Sequence, residues 1–83
     1  MPYIKKSLRE EIDAGKTPET TGELTYVLYS QCMEYLTRFV ASEPRFDDYA
    51  EAIAALECTK LELYRRAVAP YEEGKIGENG DIL

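Results

Sequence analysis

Two runs of apolar residues at steps of three and four, split by one short interruption, constrain this chain more than anything else in it. Leu24, Leu28, Cys32, Tyr35, Leu36 and Phe39 form one stripe, which predicts a helix from about residue 22 to 42. Tyr49, Ile53, Leu56, Leu63 and Ala67 form a second, with Ala50, Ala54, Leu61 and Val68 beside it, on a helix from about 47 to 69. Between them lies Glu43-Pro44-Arg45-Phe46, where Pro44 disfavours helical backbone at Glu43 and Asp47 or Asp48 stands where a helix cap belongs. So short a connection makes neighbouring helices antiparallel. The predicted fold is therefore all-α: a short N-terminal helix, a long antiparallel hairpin and an ordered C-terminal tail.

The N-terminal helix is expected over about 5–15, with Ser7 near its start, Leu8 and Ile12 one turn apart and Gly15 as its stop. Residues 16–22, KTPETTG, read as a loop, with Thr21 as the N-cap of the next helix. Tyr26, Tyr29 and Met33 fall on a second face of that helix, a candidate subunit interface or ligand wall.

A single domain of 83 residues has a thin core. Small domains are completed by metals, disulfides or a partner copy. The chain has no histidine and only Cys32 and Cys58, so self-association into a homo-oligomer is the expected supplement. No stretch approaches the ~20 apolar residues of a membrane span, and the first residues lack the apolar run of a signal peptide. A cytoplasmic protein with reduced thiols follows, both cysteines serving as small buried hydrophobes, although a disulfide between the two long helices is geometrically possible.

The net charge of −6 disfavours a nucleic-acid polymer, whose affinity comes from neutralising many phosphates. The charge is uneven: residues 1–59 carry 6 cations and 11 anions, while residues 60–83 carry 4 cations and 5 anions. Lys60, Arg65, Arg66 and Lys75 are close enough in sequence to gather around a small anion.

Pro70 must kink the second long helix or begin a new turn, since it lacks an N–H and its ring meets the carbonyl four residues earlier. A bend is predicted there, with a short continuation to Gly74 and a docked tail over 75–83. If helical phase survives the bend, Lys60, Tyr64, Tyr71 and Lys75 fall near one line, alternating ammonium groups with phenols. That suits phosphates and flat bases. Arg66 can pair with Glu62 one turn back; Arg65 has leucine at the equivalent position and reads as the more available cation. Asn79-Gly80 signals a tight turn, Ile76, Ile82 and Leu83 are apolar anchors, and residues 1–4 are a candidate strand partner for 80–83.

Enzymatic chemistry has little to stand on. The usual general base is absent, and neither cysteine has an activating partner. The acidic pairs Glu10/Glu11, Asp47/Asp48 with Glu51, and Glu72/Glu73 suit helix termini or solvated faces, and none has metal-repeat spacing. No cofactor or metal is expected.

From MPYI to ENGD the chain resembles a family of short, mostly uncharacterised proteins of tailed bacteriophages and prophages, most specifically over LELYRRAVAPYEEGKIGENGD. More distantly, a long helix ending in RRAVAP resembles the closing helix of the hairpin in phage anti-defence sponge proteins. Those are small helical oligomers that sequester the cyclic nucleotides or cyclic ADP-ribose derivatives of bacterial immune systems such as CBASS and Thoeris. In that pattern a glutamine separates the alanine from the proline, whereas here Ala69 joins Pro70 directly. The resemblance implies a non-enzymatic nucleotide binder in the host cytoplasm. In such a binder the local cations and phenols suggest that Arg65, Lys75 and Lys60 hold phosphates with Arg66 as a further ligand-binding candidate, that Tyr64 and Tyr71 stack on bases, and that Asn79 and Asp81 read polar edges. Tyr71, Lys75, Asn79 and Asp81 are features the sponge pattern does not explain. The alternative is a helical protein-binding module using the same residues as anchors; a metal-dependent nucleotide hydrolase is the third reading.

Overall fold

The computed structural model describes residues 4–83; the first part of the expected pairing between the two termini lies outside them. The described chain is all-helical, with no strand: α1 is Lys6–Asp13, α2 Thr21–Tyr35, α3 Phe46–Leu63 and α4 Ala69–Asn79. A π-helical turn, Leu36–Val40, continues α2, and another, Tyr64–Val68, joins α3 to α4. The chain divides into two units, Met1–Asp48 and Tyr49–Leu83.

In the first unit α1 packs on α2. Gly15, at φ 113°, ends α1 with its N–H donating to the Ile12 carbonyl at 2.9 Å, a conformation that glycine adopts without strain. Thr20, rather than the expected Thr21, caps α2. Its hydroxyl oxygen accepts from the Glu23 N–H at 3.2 Å, one half of a capping box, and its O–H donates to the Glu23 carboxylate at 2.8 Å. Lys16 completes the arrangement, its ammonium 2.6 Å from Glu23 and 3.3 Å from Glu19. Tyr26 ties α2 to the end of α1 by donating to Asp13 at 2.9 and 3.1 Å.

Glu23 is only 4% exposed, so its charge depends on these partners. Lys16, then Thr20, hold its carboxyl below the ordinary glutamate range, and Glu23 in turn raises Lys16. The glutamate contribution is fully present above the ordinary glutamate pKa and is lost as pH falls through the lowered folded value; the lysine contribution is present below the ordinary lysine pKa and is lost as pH rises through the raised one. Lys16→Met is therefore expected to lower the melting temperature at pH 7. The difference from wild type should shrink as pH drops below about 4. A difference that stays constant in acid would mean that the ammonium contributes packing and no charge.

α2 ends where the Ala41 N–H donates to the Leu36 carbonyl at 2.9 Å, five residues back, and Ala41 turns extended. At the start of α3 the Arg45 N–H donates to the Asp48 carboxylate at 2.8 Å. Asp48 thus reaches back from the first turn and is not itself the cap.

Several apolar residues placed in the core by periodicity are exposed. On α2 these are Leu24, Leu28, Tyr35 and Phe39; on α3, Tyr49, Ile53, Leu56 and Leu63. The buried hydrophobic residues are Ile4, Ile12, Leu36 and Ala52. Of the expected second face, Tyr26 and Met33 are half-buried and Tyr29 is exposed; Tyr26 reaches α1 through its bond to Asp13. Cys32 and Cys58 are both free thiols, but only Cys32 is partly covered; Cys58 is exposed and is no buried hydrophobe.

Helical backbone passes Pro70 and continues through Gly74 and Gly77 to Asn79, so the stop expected at Gly74 and the irregular tail expected from 75 are replaced by α4. The π-helical turn explains how. The Ala69 N–H donates to the Tyr64 carbonyl, five residues back, and this wider ring makes room for the Pro70 side chain in the first turn of α4. Gly80, at φ 82°, closes the helix by donating to the Ile76 carbonyl at 2.8 Å, in place of the expected Asn-Gly turn. Beyond it, Ile82 and Leu83 are fully exposed, so the tail is not docked on its own chain.

Candidate functional site

The eight residues singled out in the sequence lie on one continuous helix and the four residues after it, but not along one line. A π-helical turn absorbs about one residue, which sets back every later side chain by about 100° around the axis. Tyr64 shows the shift. Its hydroxyl donates to Glu72, eight residues on, at 2.5 Å, although in an unbroken α-helix those positions are about 80° apart. Lys60 and Tyr64 therefore run on toward Glu72, while Tyr71 and Lys75 occupy another face. There the Lys75 ammonium lies 5.6 Å from the centre of the Tyr71 ring. Glu72 also pushes the Tyr64 phenol above its ordinary pKa.

Each of the four cations has a carboxylate close by in sequence. Lys60 meets Glu57 at 2.7 Å and Lys75 meets Glu78 at 3.1 Å. Arg65, expected to be the more available guanidinium, donates to Glu62 at 2.6 Å from three residues away, and Arg66 bonds the same carboxylate oxygen. Residue spacing of four points to Arg66 alone, whereas the structure pairs Arg65 with Glu62 through the i,i+3 spacing. Arg66, then Arg65, hold the Glu62 carboxyl below the ordinary range. Two guanidiniums on one carboxylate leave one positive charge over, well exposed.

The end of α4 forms a surface cleft of about 330 Å³. Lys75, Asn79 and Asp81 line it, three of the predicted site residues, together with Glu72 and the apolar side chains Ile76 and Ile82. Asp81 also accepts the Ile82 N–H at 2.6 Å. With one ammonium against two carboxylates, the cleft suits a ligand that presents hydrogen-bond donors. Surplus cation lies at Arg65 and Arg66, before the cleft. Glu62 and Glu72, which organise these two places, were read from the sequence as a lone helix partner and a dipole-matching acid. Ile76 and Ile82, expected as anchors of a docked tail, instead line this cleft.

A second concavity, of about 370 Å³, lies in the first unit, where Lys16, Ser30, Gln31 and Glu34 join the apolar Ile12 and Val27. Among the described residues no three of His, Cys, Asp and Glu are gathered closely enough to hold a metal ion, and no helix is long and apolar enough to cross a membrane.

The described residues form a small all-helical protein with an exposed cationic turn and, at the end of its last helix, an open surface depression lined by both apolar and charged side chains. The chain belongs to the DUF6899 family, a domain of unknown function, which it matches over residues 1–82. No curated protein and no solved structure matches it.

Proposed function

We propose that this protein is a phage-encoded, non-enzymatic binder that sequesters a small phosphate-bearing nucleotide, of cyclic oligonucleotide or cyclic ADP-ribose type, and so blunts a bacterial immune signal. It acts as a cytoplasmic homo-oligomer whose long helices pair as antiparallel hairpins. The observation that carries this reading is the convergence of Arg65 and Arg66 on Glu62. The cluster keeps a surplus positive charge with its guanidiniums exposed, and a phosphate can take the place of a carboxylate in such a fork. Exposed ion pairs of this kind contribute at most about 1 kcal/mol, so exchanging the partner costs little. Tyr71 and the cleft beyond it supply a ring to stack on and donors and acceptors for base or ribose edges. The phage setting and the immune signal come from the likeness of RRAVAP and its surroundings to the sponge proteins.

A thermal-shift screen against mono-, cyclic di- and cyclic trinucleotides and cyclic ADP-ribose isomers tests it. Ligand at 100 times its dissociation constant adds about 2.7 kcal/mol of stability. Arg65→Ala and Tyr71→Ala should each abolish the shift and leave the mass in solution unchanged. No shift with any nucleotide sinks the proposal.

A helical protein-binding module is the second reading. The exposed apolar side chains of α3 and α4 favour it, since Ala52 alone is buried among residues 49–83. In that case Tyr64, Arg65 and Tyr71 are interface anchors.

A further inference from the structure

We propose that the concavity between the end of α1 and α2 binds a small organic cation, an aliphatic amine or guanidine, through the Asp13 and Glu34 carboxylates and the Ser30 hydroxyl. This site goes beyond the nucleotide reading and does not rest on it. All of its lining residues fall between Ile12 and Glu34, so the first unit alone builds it. Its volume of about 370 Å³ gives room for about twelve groups the size of a water molecule.

The wall keeps hydrogen-bonding capacity that the fold does not use. Thr25, Thr37 and Thr59 each turn the hydroxyl back on their own helix, donating at 2.8 Å to the carbonyl four residues earlier. Ser30, well inside α2, does not. It is half-buried at the cavity, and neither its hydroxyl nor the Gln31 carboxamide beside it has a hydrogen-bond partner among the described residues. A serine that forgoes its own helix keeps a donor and an acceptor for whatever enters.

Charge decides the class of ligand. Lys16 is the one cation among the described lining residues, and its three ammonium hydrogens already meet three oxygens: Glu23 at 2.6 Å, Glu19 at 3.3 Å and the Thr17 carbonyl at 3.3 Å. Nothing is left over for an anion. The two acids are less committed. Among the described residues Asp13 accepts from the neutral Tyr26 phenol alone, while Glu34 gives one oxygen to Arg38 at 2.8 Å and leaves the other open. Two carboxylates are too few to replace the water around a hard metal ion, but they match the N–H groups of an ammonium or guanidinium. Ile12, Pro18 and Val27 supply an apolar wall along which an aliphatic stem packs.

The test titrates the full chain with agmatine and with 1,4-diaminobutane at about 0.15 M salt, where bulk attraction is screened, and follows the methyl resonances of Ile12 and Val27. Saturable shifts of both methyls are expected with either amine, and none with inorganic phosphate. Glu34→Gln should weaken binding about tenfold or more, the loss of a charge-assisted hydrogen bond, and Ser30→Leu, which fills the cavity, should abolish it. Glu73→Gln removes the same charge from the second unit and should leave binding unchanged. No saturation at millimolar amine overturns the proposal. So does an equal loss in Glu34→Gln and Glu73→Gln, which would mean attraction to the net charge of −6 and no site, or a response to phosphate as strong as that to the amines. Nucleotide binding at Arg65 and Arg66 stands or falls separately, since none of these variants touches it.

Discussion

Leu36→Ala is expected to unfold the first unit at moderate temperature. Leu36 is 2% exposed, the most buried residue described, and it sits in the π-helical turn that closes α2. Truncating a buried leucine costs about 2–5 kcal/mol, the transfer of its methyls plus the cavity left behind. A domain of this length holds only about 4–12 kcal/mol in all. With Ile4 and Ile12 as the other buried hydrophobic residues of that unit, little remains to absorb the loss. Leu61→Ala, at an exposed position of α3, should change stability by no more than about 0.5 kcal/mol. Urea unfolding followed by far-ultraviolet circular dichroism measures both. Equal effects would show that burial of Leu36 is not what holds the unit together.

The second large effect is expected from Pro70→Ala. Proline in a helix interior costs about 3 kcal/mol relative to alanine, through the missing N–H and the clash with the preceding turn. Here the chain meets that constraint by widening the turn at Tyr64–Val68. With alanine at position 70 the wide turn should relax to ordinary α-helix, turning α4 by about 100° against α3 and carrying Glu72 away from Tyr64. The helix should melt at higher temperature, and the Tyr64 phenol, raised by Glu72, should titrate closer to its ordinary pKa. Ring resonances of labelled tyrosine followed through alkaline pH give the answer. An unchanged Tyr64 titration would mean that something other than the proline opens the turn. Nucleotide binding should weaken in the same variant, because Arg65 and Tyr71 would no longer share their present orientation.

The helical class, a loop after α1 and the break at Pro44 are legible because each follows from local chemistry: periodic apolar residues, a run of Pro, Thr and Gly, and a proline that restricts its neighbour. The loop expected over 16–22 ends two residues earlier, with Thr20 and not Thr21 as the cap. What escaped was whatever depends on exact phase. By sequence, Pro70 reads as a bend and Gly74 as the stop of the last helix. Yet Pro70 falls in the first turn of α4, where its missing N–H does least harm, and the Lys75–Glu78 and Tyr71–Lys75 contacts continue past Gly74. One absorbed residue then moved Tyr71 and Lys75 off the line of Lys60 and Tyr64. Arg65 was misjudged for a related reason, since i,i+3 pairs form on helices as readily as i,i+4 pairs. The apolar stripes were located correctly but assigned to a core, because periodicity reports that a face is apolar and not what covers it.

The end of α4 also bears on how this protein ages. An asparagine followed by glycine is the sequence most prone to spontaneous deamidation, in which the glycine nitrogen attacks the asparagine side-chain carbon and expels ammonia. Asn79-Gly80 is such a pair, but the Gly80 nitrogen is occupied, donating its hydrogen to the Ile76 carbonyl at 2.8 Å. Attack requires that bond to open and Asn79 to leave helical geometry. The slow appearance of aspartate or isoaspartate at position 79 therefore keeps a covalent record of how often the last helical turn comes undone, and each such event adds a negative charge to a cleft that already holds two carboxylates.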